Sequence, residues 1–270
     1  MPFEIFFFRT SKRTPFTGVS LLWDVDGVHA FGIKHFQVGY FVDCILHTVD
    51  LGVAQRACGH SMLCLLRNNV FNLRNDTLLG RMQAGALHMR RALRKHYRAF
   101  AKSKPNALRV SRLQAFTLNK LGSLQRPCLK AKGAQSRAAV WFCRDMLRKH
   151  AAVCGQEGEL LQEACNSLCA YYDLLKKEPR KMTLRAKLRL FGQCLSHVQA
   201  YKAAGGHLVA KHHGFIHLTR SILTSGNPRF TSTYEDEHEN GVCASICKIV
   251  HRSTMVRSAF ERLEVLEAMD

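Results

Sequence analysis

Acidic residues are scarce in this chain of 270 residues, where 20 Asp and Glu oppose 40 Lys and Arg. The formal net charge is therefore +20 with the histidines neutral. A charge this positive favours a polyanionic partner, nucleic acid first and an anionic membrane surface second. The hydrophobic content of 47% excludes a disordered polar tail. Length and composition together favour one folded domain with a real core.

Long apolar runs and a signal peptide are also missing from the sequence. No window reaches the roughly eighteen apolar residues of a membrane-spanning helix, so we expect no membrane partner. Glu4 precedes the short apolar run Ile5–Phe8 and the basic residues follow it, which is the wrong order for a signal peptide. The eleven cysteines are therefore expected in a reducing compartment, as small buried residues or metal ligands rather than disulfides.

Apolar periodicity predicts a mainly α protein. Two short apolar runs before residue 50, Phe3–Phe8 and Val19–Trp23, favour strands. Helical spacing dominates from Leu51 onward. One predicted helix ends before Pro105 and carries a stripe of apolar residues three or four apart: Leu79, Met82, Ala86, Met89, Leu93, Tyr97 and Phe100.

The remaining chain is predicted to form further helices separated by turns. Helices are predicted from Ala138, over 160–175, over 184–204, over 234–251 and over 254–268. Gly226-Asn227-Pro228 is typical of a turn. The sequence contains no internal repeat.

The basic charge is least opposed in the middle of the chain, where Asp145 is the only acid between Asp76 and Glu157. On the helix predicted over residues 79–102, cationic side chains lie mostly away from the apolar stripe: Arg90, Arg91, Arg94, Lys95, Arg98 and Lys102. Because positions three, four and seven apart share a helix face, these groups can contact successive phosphates. Such contacts carry no base information. The alternative is a solvated helix face.

Three polar residues near position 45 form a candidate catalytic group. Asp43, His47 and Asp50 follow one another at spacings of four and three, so an α-helix would place them on one side. Carboxylates gathered on a basic protein suit Mg²⁺-dependent phosphoryl transfer. The alternative is a helix N-terminus, where the helix dipole favours Asp.

Histidine and cysteine spacing predicts a candidate metal site. His213 and His217 are four apart and can share a helix face. Cys44 and His47 form a Cys-x-x-His pair that could supply two more ligands for a structural Zn²⁺. A site built on His60, within Cys58-x-His-x-x-x-Cys64, is the weaker alternative. Isolated core or surface histidines are the other interpretation.

A second acidic cluster follows the predicted turn near residue 227. Four acids fall within the five residues from Glu235 to Glu239. At a helix start they would complement the helix dipole. The alternative is a metal-binding carboxylate carried by a late helix.

Three motifs in this order give the chain a family resemblance. They are Asp43–Gly52, Lys211-His-His-x-x-x-His-Leu218, and the segment from Gly226 to His238. Together they resemble the C-terminal part of transposase-like proteins of cut-and-paste DNA elements, near the CACTA and Plavaka-type groups. The match runs from Val38 to about Phe260, its middle being matched only as a basic helical insertion.

The resemblance implies an RNase H-like core with a helical insertion before the last catalytic acid. It implies metal-ligand pairs at Cys44 with His47 and at His212 with His217. It places the catalytic acids at Asp43 or Asp50 and at Glu235 or Glu237, with Mg²⁺ as cofactor. The first catalytic Asp of such enzymes lies on an early strand; Asp24 and Asp26 match that motif poorly, so we expect a truncated copy.

The expected fold is a helical bundle with a small, incomplete α/β portion, the RNase H-like remnant, at its N-terminus. Residues 1–50 would hold that portion, 51–204 the basic helical insertion, and 205–270 a helical segment with the acidic cluster. The expected function is a transposase-derived, DNA-binding nuclear protein without full strand-transfer activity. The alternatives are an active Mg²⁺-dependent nuclease or transposase, and a helical interaction protein that binds RNA or acidic partners.

Overall fold

The computed structural model describes residues 44–103, 112–113 and 115–233, and these residues form a helical bundle. Its α-helices are α1 (Ala54–Arg67), α2 (Leu78–Ser103), α3 (Gly133–Lys149), α4 (Ala151–Lys177), α5 (Leu184–Ala203) and α6 (Ala210–Ser225). The prediction of a mainly α protein is confirmed for this part of the chain, which contains no strand. The strand-like runs and the helices predicted over 234–251 and 254–268 lie outside it.

Helix α1 forms the centre of the bundle. A π-helix, Leu46–Val53, runs directly into it. The sequence of α1 carries charge only at Arg56 and Arg67, and a helix that is apolar on all sides is expected to be buried. Its side chains at Ala57, Cys58 and Met62 are fully buried. Helices α2, α3 and α4 all pack on α1.

The later helices complete the bundle by packing in sequence. Helix α4 packs on α3 and on α5, α5 packs on α6, and α6 returns to contact the π-helix. Tyr171 and Phe215 join α4 to α6 with ring centroids 4.9 Å apart. Gly155 has φ 58° and ψ −158° and separates the first turn of α4 from its remainder. Glycine adopts this left-handed φ without the Cβ clash that other residues meet.

The apolar stripe predicted for α2 is largely confirmed. Met82, Ala86, Met89, Leu93 and Tyr97 are all buried. The prediction is wrong for Leu79, because its side chain is 53% exposed. It lies in the first turn of the helix, beyond the part of the stripe that is covered.

The turn predicted at Gly226-Asn227-Pro228 is confirmed. It forms hydrogen bonds with the C-terminal end of α4. Gly226 has φ 82°. The buried side chain of Asn227 donates two hydrogen bonds of 2.9 Å, to the carbonyl oxygens of Leu175 and Glu178. These bonds satisfy carbonyl groups that the end of a helix leaves without partners.

No helix within residues 44–103 and 115–233 is both long enough and apolar enough to cross a membrane. This agrees with the absence of long apolar runs noted in the sequence.

A close backbone approach makes Gly59 a sensitive position. A Cβ at residue 59 would lie 2.7 Å from the backbone nitrogen of Cys128 and 2.8 Å from its Cα. We expect Gly59→Ala to lower the free energy of unfolding by roughly 1–3 kcal/mol, because the loop carrying Cys128 must move away from α1. Urea denaturation followed by circular dichroism measures the change.

Gly192 provides the matched control for this substitution. It also lies inside a helix, α5, but an added Cβ there meets no atom within 4 Å. Gly192→Ala is therefore expected to raise stability by about 0.5–1 kcal/mol, the usual gain in helix propensity. Equal effects at the two positions would contradict the contact with Cys128.

Candidate functional site

The exposed cationic side chains of α2 form a continuous charged surface. The residues that define this surface, called here the α2 basic face, are Arg91, Arg94, Lys95, Arg98 and Lys102, and all five are exposed. The first and the last lie eleven positions apart, which corresponds to about 16 Å along a helix. Arg90, predicted with them, is only half-exposed, and its buried Nε has no hydrogen-bond partner among the described residues.

No described carboxylate neutralises the α2 basic face. Asp145, the only acid in the basic stretch, lies on α3 and accepts a hydrogen bond of 2.8 Å from the Nε of Arg144. Its other oxygen lies 3.8 Å from the Nδ1 of His96. Within the described ranges, the five cations of the face make no ion pair with a carboxylate. Their positive potential is therefore directed at solvent.

Asp50, a predicted catalytic residue, lies in the core. Its residue surface is fully buried. Arg137 of α3 donates to both carboxylate oxygens, from Nε at 3.2 Å and from an Nη at 2.5 Å. The hydroxyl of Tyr172 donates to one of the same oxygens. Arg137 also lies over the Tyr172 ring, at 5.3 Å from its centroid. Each of the three side chains therefore contacts the other two.

The expectation that His47 and Asp50 share one helix face is wrong. The segment that carries them is a π-helix, which has more residues per turn than an α-helix, so positions three apart diverge. His47 is exposed while Asp50 is fully buried. The structure therefore separates these two residues, and Asp43 lies outside the described residues.

The Cys-x-x-His pair is brought together at the start of this segment. Cys44 hydrogen-bonds to His47 and, at 3.0 Å, to the hydroxyl of Thr233. Partial burial raises the pKa of the Cys44 thiol, but the bonds from Thr233 and His47 outweigh it and lower that pKa to about 7. Thr233 lies two positions before Glu235, the first residue of the predicted acidic cluster.

The histidines of α6 divide between two faces of the helix. His213 and His217 are both exposed, and their Nε2 atoms lie 2.8 Å apart, as the spacing of four predicted. His212 is buried instead, with its ring stacked on that of Tyr201 at 5.1 Å. The pair His212 with His217 implied by the resemblance is therefore not assembled, because a spacing of five turns the side chains apart.

The described residues contain no group of three or more His, Cys, Asp or Glu side chains placed to hold a metal ion. The predicted acids Glu235 and Glu237 lie outside the described residues. The zinc and magnesium sites remain predictions.

A polar cavity between α1 and α4 was not predicted as a site. It has a volume of about 280 Å³, and its lining includes His60, Arg67, Glu157 and His207. Glu157 accepts a hydrogen bond from Arg67 and lies 3.0 Å from the Nε2 of His60. Burial lowers the pKa of His60, and the hydrogen bond with Glu157 opposes that shift. The sequence marked His60 only through its neighbouring cysteines and gave no signal for Glu157, which lies 97 positions away.

Three comparisons with known proteins accompany these observations. Protein-family models, curated protein sequences and solved structures were all compared with the chain, and none of them matches it. The resemblance to transposase-like proteins therefore rests on the three sequence motifs alone.

Proposed function

We propose that this chain is a nucleic-acid-binding protein that contacts duplex DNA through the α2 basic face. The observation that carries the proposal is the exposure of five cations on one helix face without a described carboxylate beside them. Phosphate groups spaced along a DNA strand are the natural counterpart of such a row. The three ordered motifs support an origin in a transposase-like protein of cut-and-paste elements, and a nuclear location follows from that origin.

The environment of Asp50 supports a binding function without strand transfer. A Mg²⁺ ion at Asp50 would have to displace Arg137 from both carboxylate oxygens inside the core. The metal and the guanidinium would then compete for one buried carboxylate, and Arg137 would lose its counter-charge. We therefore assign Asp50 a structural role. Catalysis would depend on the predicted acids Asp43, Glu235 and Glu237.

Binding through this face should depend on salt and not on base sequence. Lysine and arginine bind phosphates by releasing condensed counterions, so the association constant falls steeply as salt rises. Phosphate contacts position a protein on DNA but do not read its sequence. We therefore expect similar affinities for duplexes of unrelated sequence at the same salt concentration.

The test removes four charges from the α2 basic face. In the variant Arg91→Gln, Arg94→Gln, Lys95→Gln, Arg98→Gln, the slope of log K against log salt should become shallower by about 0.9 for each lost phosphate contact, or roughly 3–4 in all. Fluorescence anisotropy with a labelled duplex between 50 and 200 mM salt gives both slopes. Circular dichroism checks that the helices are retained.

A second variant separates this face from the net charge of the protein. The substitutions Lys176→Gln, Lys177→Gln, Lys181→Gln and Arg185→Gln remove the same number of exposed cations near the junction of α4 and α5. Its salt slope should remain within about one unit of the wild-type slope. Equal losses in both variants would refute the assignment to α2. Tighter binding of an RNA duplex than of the DNA duplex would favour the RNA-binding alternative.

A further inference from the structure

Helix α5 carries a second apolar stripe beside the one that it buries in the core. Residues spaced by four, three and four lie on one face of a helix, and in this stripe they are Leu184, Leu188, Phe191 and Leu195. Leu184 is 65% exposed and Leu188 is 58% exposed, while Phe191 and Leu195 are half-buried. The described bundle therefore leaves much of this stripe uncovered.

The stripe borders helix α6. Lys187 lies three positions after Leu184 and four before Phe191, so it is their neighbour on the surface of α5. Its Nζ donates a hydrogen bond of 2.8 Å to the carbonyl oxygen of Leu223 in α6. The side chain of Leu223 is itself 51% exposed. The exposed apolar residues of the two helices therefore lie side by side.

The residues of α6 that continue the stripe lie at the outer edge of its contact with α5. The row of α6 that faces α5 contains His212, whose ring stacks on that of Tyr201. Ile216 and Leu223 follow His212 by four and eleven positions, so they belong to the same row. They lie on the side of this row away from Phe215, which contacts α4. We call the combined patch the α5–α6 apolar surface, and it consists of Leu184, Leu188, Phe191, Leu195, Ile216 and Leu223.

The charged side chains of α5 and α6 are all positive. No Asp or Glu occurs between Glu178 and Glu235, a stretch that contains both helices. Lys187 lies within the α5–α6 apolar surface, and the exposed Arg220 lies three positions before Leu223. Two copies of this surface would bring like charges together. The partner that fits is an amphipathic helix with acidic residues beside its apolar stripe.

The last segment of this chain has that chemistry. Residues 254–268 are predicted to form a helix and lie outside the described residues. Val256, Phe260 and Leu263 are spaced by four and three, as in the apolar stripe of a helix. Residues 254–270 contain four acids and two arginines. Two of the acids, Glu264 and Glu267, follow Phe260 by four and seven positions, so a helix would place them beside its apolar stripe.

The chain is long enough to bring this segment to the α5–α6 apolar surface. Thr233, the last described residue, lies 3.0 Å from Cys44, near the start of the π-helix that α6 contacts. Twenty residues separate Thr233 from Thr254. An extended chain of that length spans about 70 Å, whereas α5 is about 30 Å long. Attachment to the same chain also gives the segment a high effective concentration at the surface.

We propose that residues 254–268 dock on the α5–α6 apolar surface of the same molecule. Their apolar stripe would cover the exposed leucines, and Glu264 and Glu267 would lie against Lys187 and Arg220. Burial of a contiguous apolar patch supplies the main driving force, and the opposite charges fix the orientation. None of these residues belongs to the α2 basic face, so the docking does not depend on DNA binding.

Hydroxyl-radical footprinting of the full-length protein measures whether the surface is covered. In the wild type, Leu188 and Phe191 should be oxidised slowly. The variant Phe260→Asp, Leu263→Asp puts two charges into the apolar stripe of the segment and should raise their oxidation several-fold. The matched control Thr254→Asp, Ser258→Asp adds the same charge to the opposite face of the predicted helix. It should keep the wild-type pattern.

Carbodiimide cross-linking identifies the segment that covers the surface. The reagent joins a carboxylate to a lysine amine in direct contact with it, and mass spectrometry maps the joined peptides. In wild-type protein, Lys187 should be linked to Glu264 or Glu267. An equal mixture of ¹⁵N-labelled and unlabelled protein shows whether both peptides come from one molecule. We expect no mixed pairs.

Substitutions in the α5–α6 apolar surface complete the test. Leu188→Asp, Leu223→Asp changes two exposed side chains, so the core should be retained, and the cross-link to Lys187 should disappear. The control Leu78→Asp, Leu87→Asp changes leucines of α2 that are 48% and 59% exposed, and it should keep the cross-link. Circular dichroism checks the helices of every variant.

Three results would overturn the proposal. Equal oxidation of Phe191 in the wild type and in Phe260→Asp, Leu263→Asp, with native helices, would show that the segment does not cover the surface. Mixed isotope pairs would assign the contact to a second copy. Persistence of the cross-link in Leu188→Asp, Leu223→Asp would place the segment elsewhere on the molecule.

Discussion

Replacement of Asp50 by Asn is expected to lower the free energy of unfolding by about 2–4 kcal/mol, less than for a fully buried ion pair because Arg137 is partly exposed. The substitution keeps the size of the side chain but removes the negative charge that faces Arg137 inside the core. Arg137, whose side chain is 35% exposed, then loses its counter-charge, and water screens the remaining charge only in part. A loss of this size is a large share of the stability of a typical domain, so the melting temperature should fall by roughly 10 °C.

A double-mutant cycle isolates the interaction between the two residues. Arg137→Met removes the guanidinium and keeps much of the side-chain length. The double variant Asp50→Asn, Arg137→Met should be less destabilised than the sum of the single variants by at least about 1 kcal/mol, because neither charge is left alone. Urea denaturation of the four proteins gives the coupling energy.

Tyr172→Phe serves as the milder comparison in the same group. It removes one hydroxyl that donates to Asp50 while the contact with Arg137 remains. The expected loss is about 1.5–3 kcal/mol, the usual range for a hydrogen bond to a charged group.

For the double-mutant cycle, strictly additive effects of Asp50→Asn and Arg137→Met on the free energy of unfolding would refute the ion pair.

The same variants separate a structural Asp50 from a catalytic one. If Asp50 acts in the core, Asp50→Asn should bind duplex DNA with the wild-type salt slope at temperatures below its melting transition. A Mg²⁺-dependent cleavage activity that disappears in Asp50→Asn, with the helices intact, would instead support the nuclease alternative.

Helices could be predicted from the sequence because their signal is local. The stripe of α2 repeats every three or four residues, so Met89 and Leu93 were correctly placed in the core. Leu79 belongs to the same repeat but is exposed, because whether a position is covered depends on which other elements reach it. Periodicity predicts which face of a helix is apolar. It does not predict how far along the helix other elements cover that face.

Sites could be predicted only where their residues are close in sequence. His213 and His217 are adjacent in the structure because four residues make about one helical turn. The same reasoning failed for His47 and Asp50, where the helix is of the π type, and nothing local distinguishes a π-helix from an α-helix. Contacts between distant residues, such as Asp50 with Arg137 or His60 with Glu157, depend on the packing of whole helices.

A second buried group, a pair of histidines, links stability to pH. His197 is fully buried, and its Nδ1 donates a hydrogen bond of 2.9 Å to the carbonyl oxygen of Ala164. His212 is also buried, and its Nδ1 accepts one of 3.1 Å from the backbone N–H of Val209. The rings are parallel with centroids 6.3 Å apart. The Nε2 of each ring is buried without a hydrogen-bond partner among the described residues.

The partners of the two rings fix their neutral tautomers. His197 carries its proton on Nδ1, because a carbonyl oxygen can only accept. His212 carries its proton on Nε2, because its Nδ1 accepts from an N–H. A second proton would have to enter the core at an Nε2 or Nδ1 that has no anionic partner among the described residues.

Burial is the main cause of the shifted pKa values. It lowers the pKa of His197 to about 4, while the bond to Ala164 acts in the opposite direction. Burial likewise lowers the pKa of His212 to about 3, helped by the positive charges of His197, Arg56 and His207. Both values lie below the ordinary value of 6.5, so the unfolded chain takes up protons at a higher pH than the folded one.

We expect acid to unfold this protein through these two histidines. Since the folded pKa values are lowered, the stability they contribute is present above pH 6.5 and is lost as the pH falls from there towards about 4. Two such groups together should remove roughly 3 kcal/mol for each pH unit in that window. Urea denaturation at pH 7, 6, 5 and 4.5 measures the slope.

The variant His197→Asn, His212→Asn replaces both rings with groups that do not titrate in this window. It should be less stable than the wild type at pH 7, because smaller side chains leave space in the core, but its stability should fall much less steeply below pH 6.5. The control His213→Asn, His217→Asn changes exposed residues of the same helix and should reproduce the wild-type slope. An unchanged slope in the variant of the buried pair would show that other groups cause the acid sensitivity.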